Sequence, residues 1–470
     1  MDARVTGTDG AGADFARVRH DFALPSQFPP AALAEAGQAV SDGPRGDRED
    51  ATGLPLVTID PPGAKDLDQA VLIEALGDGY RVHYAIADLG AFVVPDGALD
   101  DEVRKRGQTI YLPDGNVPLH PTVLSEGAAS LLPDQTSPAA LWTIDLDAAG
   151  EPTGDGHVRR AWVRSVAQFD YETVQASFDA GDPHPSVALL PALGTLRRAL
   201  AIKRGAVELQ LPEQDVERDG ESWGLVLRPR TDVDAWNAEI SLLTGMAAAK
   251  IMLAAQVGVL RTLPDPDDGA VEWLRRSAKA LGIAWPRETS TAELLASLDP
   301  REPAALALFM DATRLLRGAG YTVFDGELPE LSTHAGIAAS YAHVTAPLRR
   351  LVDRFGTEIC LAACAGEPVP QWVRDALPLL PELMEGSDSL AGKVDRACLD
   401  QVEAWVLGER VGAEFDAVVL RAEGTGAEIF IAEPPVLARC AGEGLREGES
   451  VRVRLVEADA VARKVAFERA

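Results

Sequence analysis

The hydrophobic pattern changes character twice along this 470-residue chain, and those changes restrict what it can fold into. A polar, Gly-rich start leads into Pro29-Pro30-Ala-Ala-Leu-Ala-Glu-Ala-Gly37, which reads as a short helix opened by proline. Residues 41–50 follow as a solvated connector. From Leu54 the texture becomes strand-like. Strands are predicted over 54–59 and 70–76, and Gly77-Asp78-Gly79 turns the second into 80–87. There Val82, Tyr84 and Ile86 alternate with Arg81, His83 and Ala85, a hairpin signature. Helical spacing then dominates, over 186–204, 236–260, 272–281, 302–317 and 347–363. The last 60 residues change again, to short runs at 414–421, 427–432, 436–440, 450–458 and 463–467. Val451, Val453 and Leu455 alternate with Arg452 and Arg454 in one of them. Strands followed by many helices predict one large mixed α/β or α+β domain, and five short terminal strands predict an OB-type β-barrel. The expected division is a partly helical N-terminal extension over 1–53, a large domain over 54–405 and a barrel over 410–470.

Composition narrows the class. With 46% apolar and 25% charged residues, a disordered chain, a collagen and a coiled-coil rod are excluded. Cys360, Cys364, Cys398 and Cys440 are too sparse for a disulfide scaffold, and no CxxC or neighbouring His completes a zinc site. Reduced, mostly buried thiols are expected. The apolar stretch over 242–260 carries Lys250 at its middle, which costs about 2.5–3.5 kcal/mol on insertion into a bilayer. A buried helix is the expectation, in a cytoplasmic protein with no membrane association and no evident protein partner. The opening residues hold no apolar run of the signal-peptide kind. The net charge of −29 repels nucleic acid at long range, but local charge and bound divalent cations set the field inside a site. Only 7 of the 44 basic residues are Lys. Arg suits bidentate phosphate contacts, although biased coding DNA accounts for the excess equally well.

The most informative stretch is Thr58-Ile-Asp60-Pro-Pro-Gly-Ala-Lys-Asp66-Leu-Asp68-Gln69-Ala70. Asp60 ends a strand, and a Pro-Pro-Gly turn can fold the chain back. Asp66 and Asp68, two apart, share a face if extended. Converging carboxylates repel one another unless a cation lies among them. Oxygen ligands without His or Cys favour Mg²⁺, or Mn²⁺ in its place, over zinc. A site of this kind can hold phosphate and activate water for in-line displacement. A solvated acidic turn is the alternative, and an EF-hand is excluded because no Glu stands at the twelfth position.

This stretch resembles the first signature of the ribonuclease II/ribonuclease R family. The resemblance continues through Ala85-Ile-Ala-Asp88-Leu-Gly, the segment from Pro95-Asp-Gly-Ala-Leu-Asp100 to Tyr111-Leu-Pro, Asn116-Val-Pro-Leu-His120-Pro and Leu124-Ser-Glu-Gly-Ala-Ala-Ser-Leu-Leu-Pro133. A separate signature stands at His334-Ala-Gly and at Tyr341-Ala-His343-Val-Thr345-Ala-Pro347-Leu-Arg349-Arg350-Leu-Val-Asp353. The match spans residues 54–405, and the terminal barrel is similar to the S1-type OB domain that follows this catalytic domain. The resemblance implies a processive 3′→5′ exoribonuclease that hydrolyses single-stranded RNA to nucleoside 5′-monophosphates in an RNB-type domain. It implies that Asp60, Asp66 and Asp68 hold Mg²⁺, with Asp68 most closely tied to cleavage. Arg349 would stabilise charge on the phosphate. Tyr111 would hold the terminal nucleotide, and Tyr171 and Arg350 would be further substrate contacts. Arg104-Lys105-Arg106 and Arg159-Arg160 are candidate backbone contacts, with a solvated face as the alternative.

Four departures accompany the resemblance. Gln69 stands where the family usually has a further aspartate, keeping a carbonyl oxygen but not the charge. Ala346 and Leu351 replace a usual Ser and Tyr. A helix over 395–405 matches only loosely, so no catalytic glutamate is carried over from it. The 50-odd residues before the large domain are too few for two cold-shock OB domains of ~70 residues each, so a short form is expected. Two other readings compete: an RNA-binding protein with an inactive nuclease site, and a metal-dependent phosphohydrolase of small molecules.

Overall fold

In the computed structural model, which describes residues 5–6, 15–211, 213–219, 222–228 and 230–470, Leu56–Ile59 form strand β3 with every residue buried. A short run of this kind suits a strand covered on both faces. It lies between β4 (Gln69–Leu76) and β9 (His157–Phe169) in a sheet ordered β2 (Glu49–Asp50), β9, β3, β4, β5 (Gly79–Ala87), β8 (Thr136–Leu146). β9 is 13 residues long and closes this sheet on itself. Its first half runs antiparallel to β8 and its second half parallel to β3. The predicted β4–β5 hairpin forms, with Gln69 opposite Ile86 and Leu76 opposite Gly79, so that Gly79 joins the strand and the turn narrows to Gly77 and Asp78. Gly77 takes φ +59° in the turn, a conformation glycine adopts at little cost. Strands β8 and β9 carry no simple alternation and were not foreseen.

Helices α2 (Pro30–Asp42), α3 (Ala98–Arg106), α4 (Tyr171–Asp179), α5 (Leu190–Arg204), α6 (Asp232–Ala255) and α10 (Leu351–Ala365) surround the sheet. α2 reaches into the connector expected from residue 41. α6 opens with a reciprocal Thr231–Asp234 capping box. By length and composition α6 could cross a membrane, yet Ile240, Leu243 and Met252 are buried in the core of this domain. It ends at Ala255, not at 260 as its spacing predicts. Gln256 turns left-handed at φ +56°, and Val257–Thr262 leave as β12 to pair with β13 (Gly320–Asp325). α10 starts four residues later than expected, because 347–350 form a turn that serves the site. α7 (Asp268–Ala280), α8 (Thr291–Ser297) and α9 (Pro303–Ala312) build a small separate cluster around Leu274, Leu308 and Phe309. α11 (Gln371–Ala376) leads to α12 (Leu380–Leu407), far longer than the helix expected over 395–405.

The five terminal runs form β14 (Glu414–Glu423), β15 (Gly426–Ala432), β16 (Pro435–Ala441), β17 (Ser450–Asp459) and β18 (Lys464–Arg469), closed as a barrel in the order 14-15-16-18-17. Closure leaves no unpaired edge. Val453 and Leu455 point inward as their alternation predicts. The register sets Arg454 opposite Glu414 and Arg452 opposite Asp416, with ion pairs at 3.1 and 2.8 Å. The outer face of β17 is thus a cross-strand charge ladder and not the bare basic stripe its sequence suggests. The barrel core continues into α12 and into α1 (Phe15–Asp21), joining Phe415 and Phe467 to Val402, Phe15 and Val18. Beside α1, β1 (Val5–Thr6) pairs with β11 (Ser222–Arg228), which also pairs with β10 (Glu213–Asp219). The cysteines are free thiols, three buried and Cys364 half-buried.

The arginines weighed as RNA backbone contacts are engaged by the protein's own carboxylates. Arg104 binds Asp100 at 2.8 Å, and the buried Arg106 binds Glu102 at 2.9 Å with its guanidinium 3.7 Å from the Phe28 ring centre. Arg159 meets Glu49 at 2.8 Å. Arg160 spans Asp88 and Glu358, at 3.0 and 2.6 Å, and so ties β9 to α10. Buried carboxylates need such partners. Lys105 alone of these residues is exposed.

Candidate active site

A cleft of about 740 Å³ opens at the end of β3, and Asp60, Asp66, Asp68, Tyr111, Tyr171 and Arg349 all line it. Most of the residues singled out from sequence, spread over nearly 300 positions, converge here. Asp60 leaves β3 with its N–H donating to the Phe169 carbonyl at 3.0 Å. Pro61, Pro62 and Gly63 then reverse the chain, with Gly63 at φ +79°. The returning segment is irregular, and polar side chains from neighbouring elements fix it. Gln168 donates to the Ala64 carbonyl at 2.9 Å, and Ser130 donates to the Lys65 carbonyl at 2.6 Å while accepting from the Leu67 N–H at 3.0 Å. Leu67 is fully buried, which separates Asp66 from Asp68 by an apolar anchor.

Asp68 is 4% exposed. Its Oδ1 accepts from the Leu348 N–H at 2.7 Å, and its Oδ2 lies 3.8 Å from Arg349 Nε. Both contacts come from the turn between 346 and 350. Burial nevertheless holds Asp68 well above the usual carboxylate range, with Arg349 and the Leu348 N–H opposing and Asp353 and Asp66 adding. Burial likewise pushes Asp60 up to about 7, Asp66 adding to the effect and Arg349 opposing it. Asp60 Oδ2 is buried without a hydrogen-bond partner. These two carboxylates are therefore costly to ionise as they stand.

That cost, the orphaned oxygen and an all-oxygen donor set fit a hard divalent cation, which would favour both ionised forms. Among the described residues, however, no three His, Cys, Asp or Glu side chains form a ready cation cage. The expected triad is not closed. Asp66 instead accepts from the Tyr111 hydroxyl at 3.3 Å, and one oxygen of Asp68 is taken by Leu348. Mg²⁺ commonly uses one or two protein carboxylates and completes its shell with water and phosphate.

Gln69 is committed elsewhere. Its amide nitrogen donates to the Thr345 carbonyl at 2.7 Å, and its carbonyl oxygen accepts a short hydrogen bond from the buried Tyr84 hydroxyl. It acts as a strut between β4 and the turn, and its ligating atom is occupied. Arg350, expected to contact substrate, is absent from the cleft lining. Its guanidinium forks onto Asp353 at 2.5 and 2.8 Å, and Asp353 also accepts from the Ala346 N–H at 2.7 Å. The pair pins the turn that presents Arg349, whose side chain is 47% exposed.

Tyr111 sits on β6 (Ile110–Leu112), hairpinned to β7 (Gly115–Val117), and is 51% exposed. Tyr171 opens α4 beside the cleft, its hydroxyl near Asn237 Nδ2 at 3.5 Å. Lys65, Asn116 and Glu126 also line the cleft and were not singled out. Glu126 lies in a π-helical turn over Leu124–Ala128. Such turns frequently mark functional sites, but nothing in the residue pattern announces one.

Residues 48–358 match the RNB domain, and 413–470 match the RNase II-type exonuclease C-terminal S1 domain. Ribonuclease R of Vibrio cholerae is 27% identical over 90% of this chain, which spans 57% of that relative's length. Mycoplasma genitalium RNase R in complex with ribose-methylated single-stranded RNA superposes at a TM-score of 0.87 and 18% identity, covering 97% of this chain and 78% of that one. Yeast Ssd1, described as a pseudonuclease, shares the fold at a TM-score of 0.69 and 15% identity over 88% of this chain and 52% of its own. With the RNB domain matched across most of its length and the S1 domain following in order, the chain belongs to the ribonuclease II/ribonuclease R (RNB-domain) family.

Proposed function

We propose that the protein is a 3′→5′ exoribonuclease that hydrolyses single-stranded RNA to nucleoside 5′-monophosphates with Mg²⁺, or Mn²⁺ in its place. The observation that carries this reading is a cleft lined together by half-buried Asp60, by Asp66, by buried Asp68 beside the half-exposed Arg349, and by Tyr111 and Tyr171. Similarity to ribonuclease R, and the likeness to an RNase R in complex with ribose-methylated single-stranded RNA, support the choice of substrate.

In this reading the ring faces of Tyr111 and Tyr171 hold the terminal bases, a contact that tolerates any sequence at ~1–3 kcal/mol per base. Arg349 neutralises charge developing on the phosphate. A divalent ion held by Asp60, Asp66 and Asp68 would supply Lewis-acid stabilisation and a more acidic water. Water attacks phosphorus, the bond from phosphorus to the preceding O3′ breaks, and the terminal nucleotide departs as a 5′-monophosphate. Arg350, through Asp353, keeps Arg349 in place. Lys65 and Arg349 offer positive charge at the cleft despite the strongly acidic chain.

A second reading, RNA binding without cleavage, is favoured by Gln69, whose carbonyl is occupied by Tyr84. The decisive experiment is a sequencing gel of 5′-labelled single-stranded RNA. Mg²⁺ or Mn²⁺ should give a descending ladder to a short limit product with mononucleotides released, and EDTA should stop it. RNA that is bound but never shortened in either metal would establish the second reading.

A further inference from the structure

The hairpin that carries Tyr111 does not belong to the core of the catalytic sheet. Its outer residue Tyr111 faces the cleft, while Ile110, Leu112 and Val117 are buried in the core that joins α1, α12 and the terminal barrel. With three residues per strand it is too short to hold its own shape. Two anchors fix it. At the base, the Thr109 N–H donates to the Arg349 carbonyl at 2.9 Å. At the tip, Arg19 of α1 grips the turn residue Asp114 with two parallel bonds, Nη1 to Oδ2 at 2.9 Å and Nη2 to Oδ1 at 2.8 Å. Paired bonds of this kind fix orientation as well as distance. α1 is itself held on the barrel side. Phe15 stacks edge-on against Trp223 at 5.2 Å, and Asp21 accepts from Arg463, in the β17–β18 turn, at 2.7 Å.

We propose that Arg19 and Asp114 are positioning residues for Tyr111, and that α1 thereby links the barrel to the grip on the 3′-terminal nucleotide. The proposal rests on the reading of Tyr111 as a substrate contact. α1 lies outside the region that matches the RNB domain, so this control is added to the domain from without. Loss of the pair frees the tip while the base stays attached to Arg349. The hairpin then tilts, and Tyr111 moves away from Asp66, which loses the bond from the Tyr111 hydroxyl, while Asp68 keeps its contacts with Leu348 and Arg349.

The test uses the full chain carrying Arg19→Ala, Asp114→Ala, the exchanged pair Arg19→Asp with Asp114→Arg, Tyr111→Ala, and Tyr111→Ala with Arg19→Ala. The measurements are the limit-product length on 5′-labelled RNA and amide exchange over 109–119. Each single loss of the pair should lengthen or broaden the limit product, with cleavage retained, and speed hairpin exchange by roughly two- to tenfold. The exchanged pair should restore both. Arg19→Ala should add nothing to Tyr111→Ala. If Tyr111→Ala lengthens the product but loss of the pair changes neither product nor exchange, the positioning role is wrong. If Tyr111→Ala itself leaves the product unchanged, the reading of Tyr111 fails, and the proposal with it.

Discussion

Glu403 offers a quantitative test of how the barrel is attached. It lies on α12, is 2% exposed, and through Oε1 accepts from Gln214 Nε2 at 2.9 Å and from the Leu437 N–H at 3.2 Å. One carboxylate thus joins α12, β10 and β16. Burial pushes it from the ordinary 4.5 up to about 7, against the Gln214 bond, Arg396 and the Leu437 bond, with Asp400 adding. The fold favours the neutral acid, so its contribution is intact below about pH 4.5 and is lost as the pH rises through about 7. At about 1.36 kcal/mol per pH unit, the full loss is about 3 kcal/mol. Glu403→Gln keeps the accepting oxygen and removes the charge. In urea unfolding, followed by circular dichroism, the variant should exceed the parent by about 1 kcal/mol at about pH 5 and by about 3 kcal/mol at about pH 8. An advantage that does not grow with pH, or a variant weaker at both, would refute the assignment of this cost to the buried charge.

Two further outcomes follow from the site and the barrel. Asp68→Asn preserves an oxygen for the Leu348 N–H while removing charge from a buried position, so cleavage should fall by ~10³ or more while the melting temperature and filter-binding affinity for RNA stay close to the parent's; an active variant would remove Asp68 from the chemistry. Arg452→Ala with Arg454→Ala should shift the slope of log Kd against log salt by less than ~1, because Glu414 and Asp416 already engage both arginines. A shift near 2 would identify both as phosphate contacts.

What the chain alone determined was local. Alternation from Val82 to Ile86, the glycine-rich turn at 77–79 and the five terminal runs each encode structure over a few residues, and hairpins and a small barrel are built from such short-range signals. The Asp60–Asp68 motif could be named from residue type and spacing, which carry its chemistry, whereas Tyr111, Tyr171 and Arg349 are legible only through the resemblance to the ribonuclease II/ribonuclease R family. Tertiary structure decided which of these groups face one another and which are already taken. Arg349 and Arg350 are adjacent and chemically alike, yet one lines the cleft and the other is locked on Asp353. Gln69 reads as a substitute ligand until its carbonyl is found bound to Tyr84. Arg160 reads as a surface contact until Asp88 and Glu358 close around it. Such outcomes depend on partners up to hundreds of positions away, and a buried polar group takes the partner that relieves its desolvation, which no local pattern specifies.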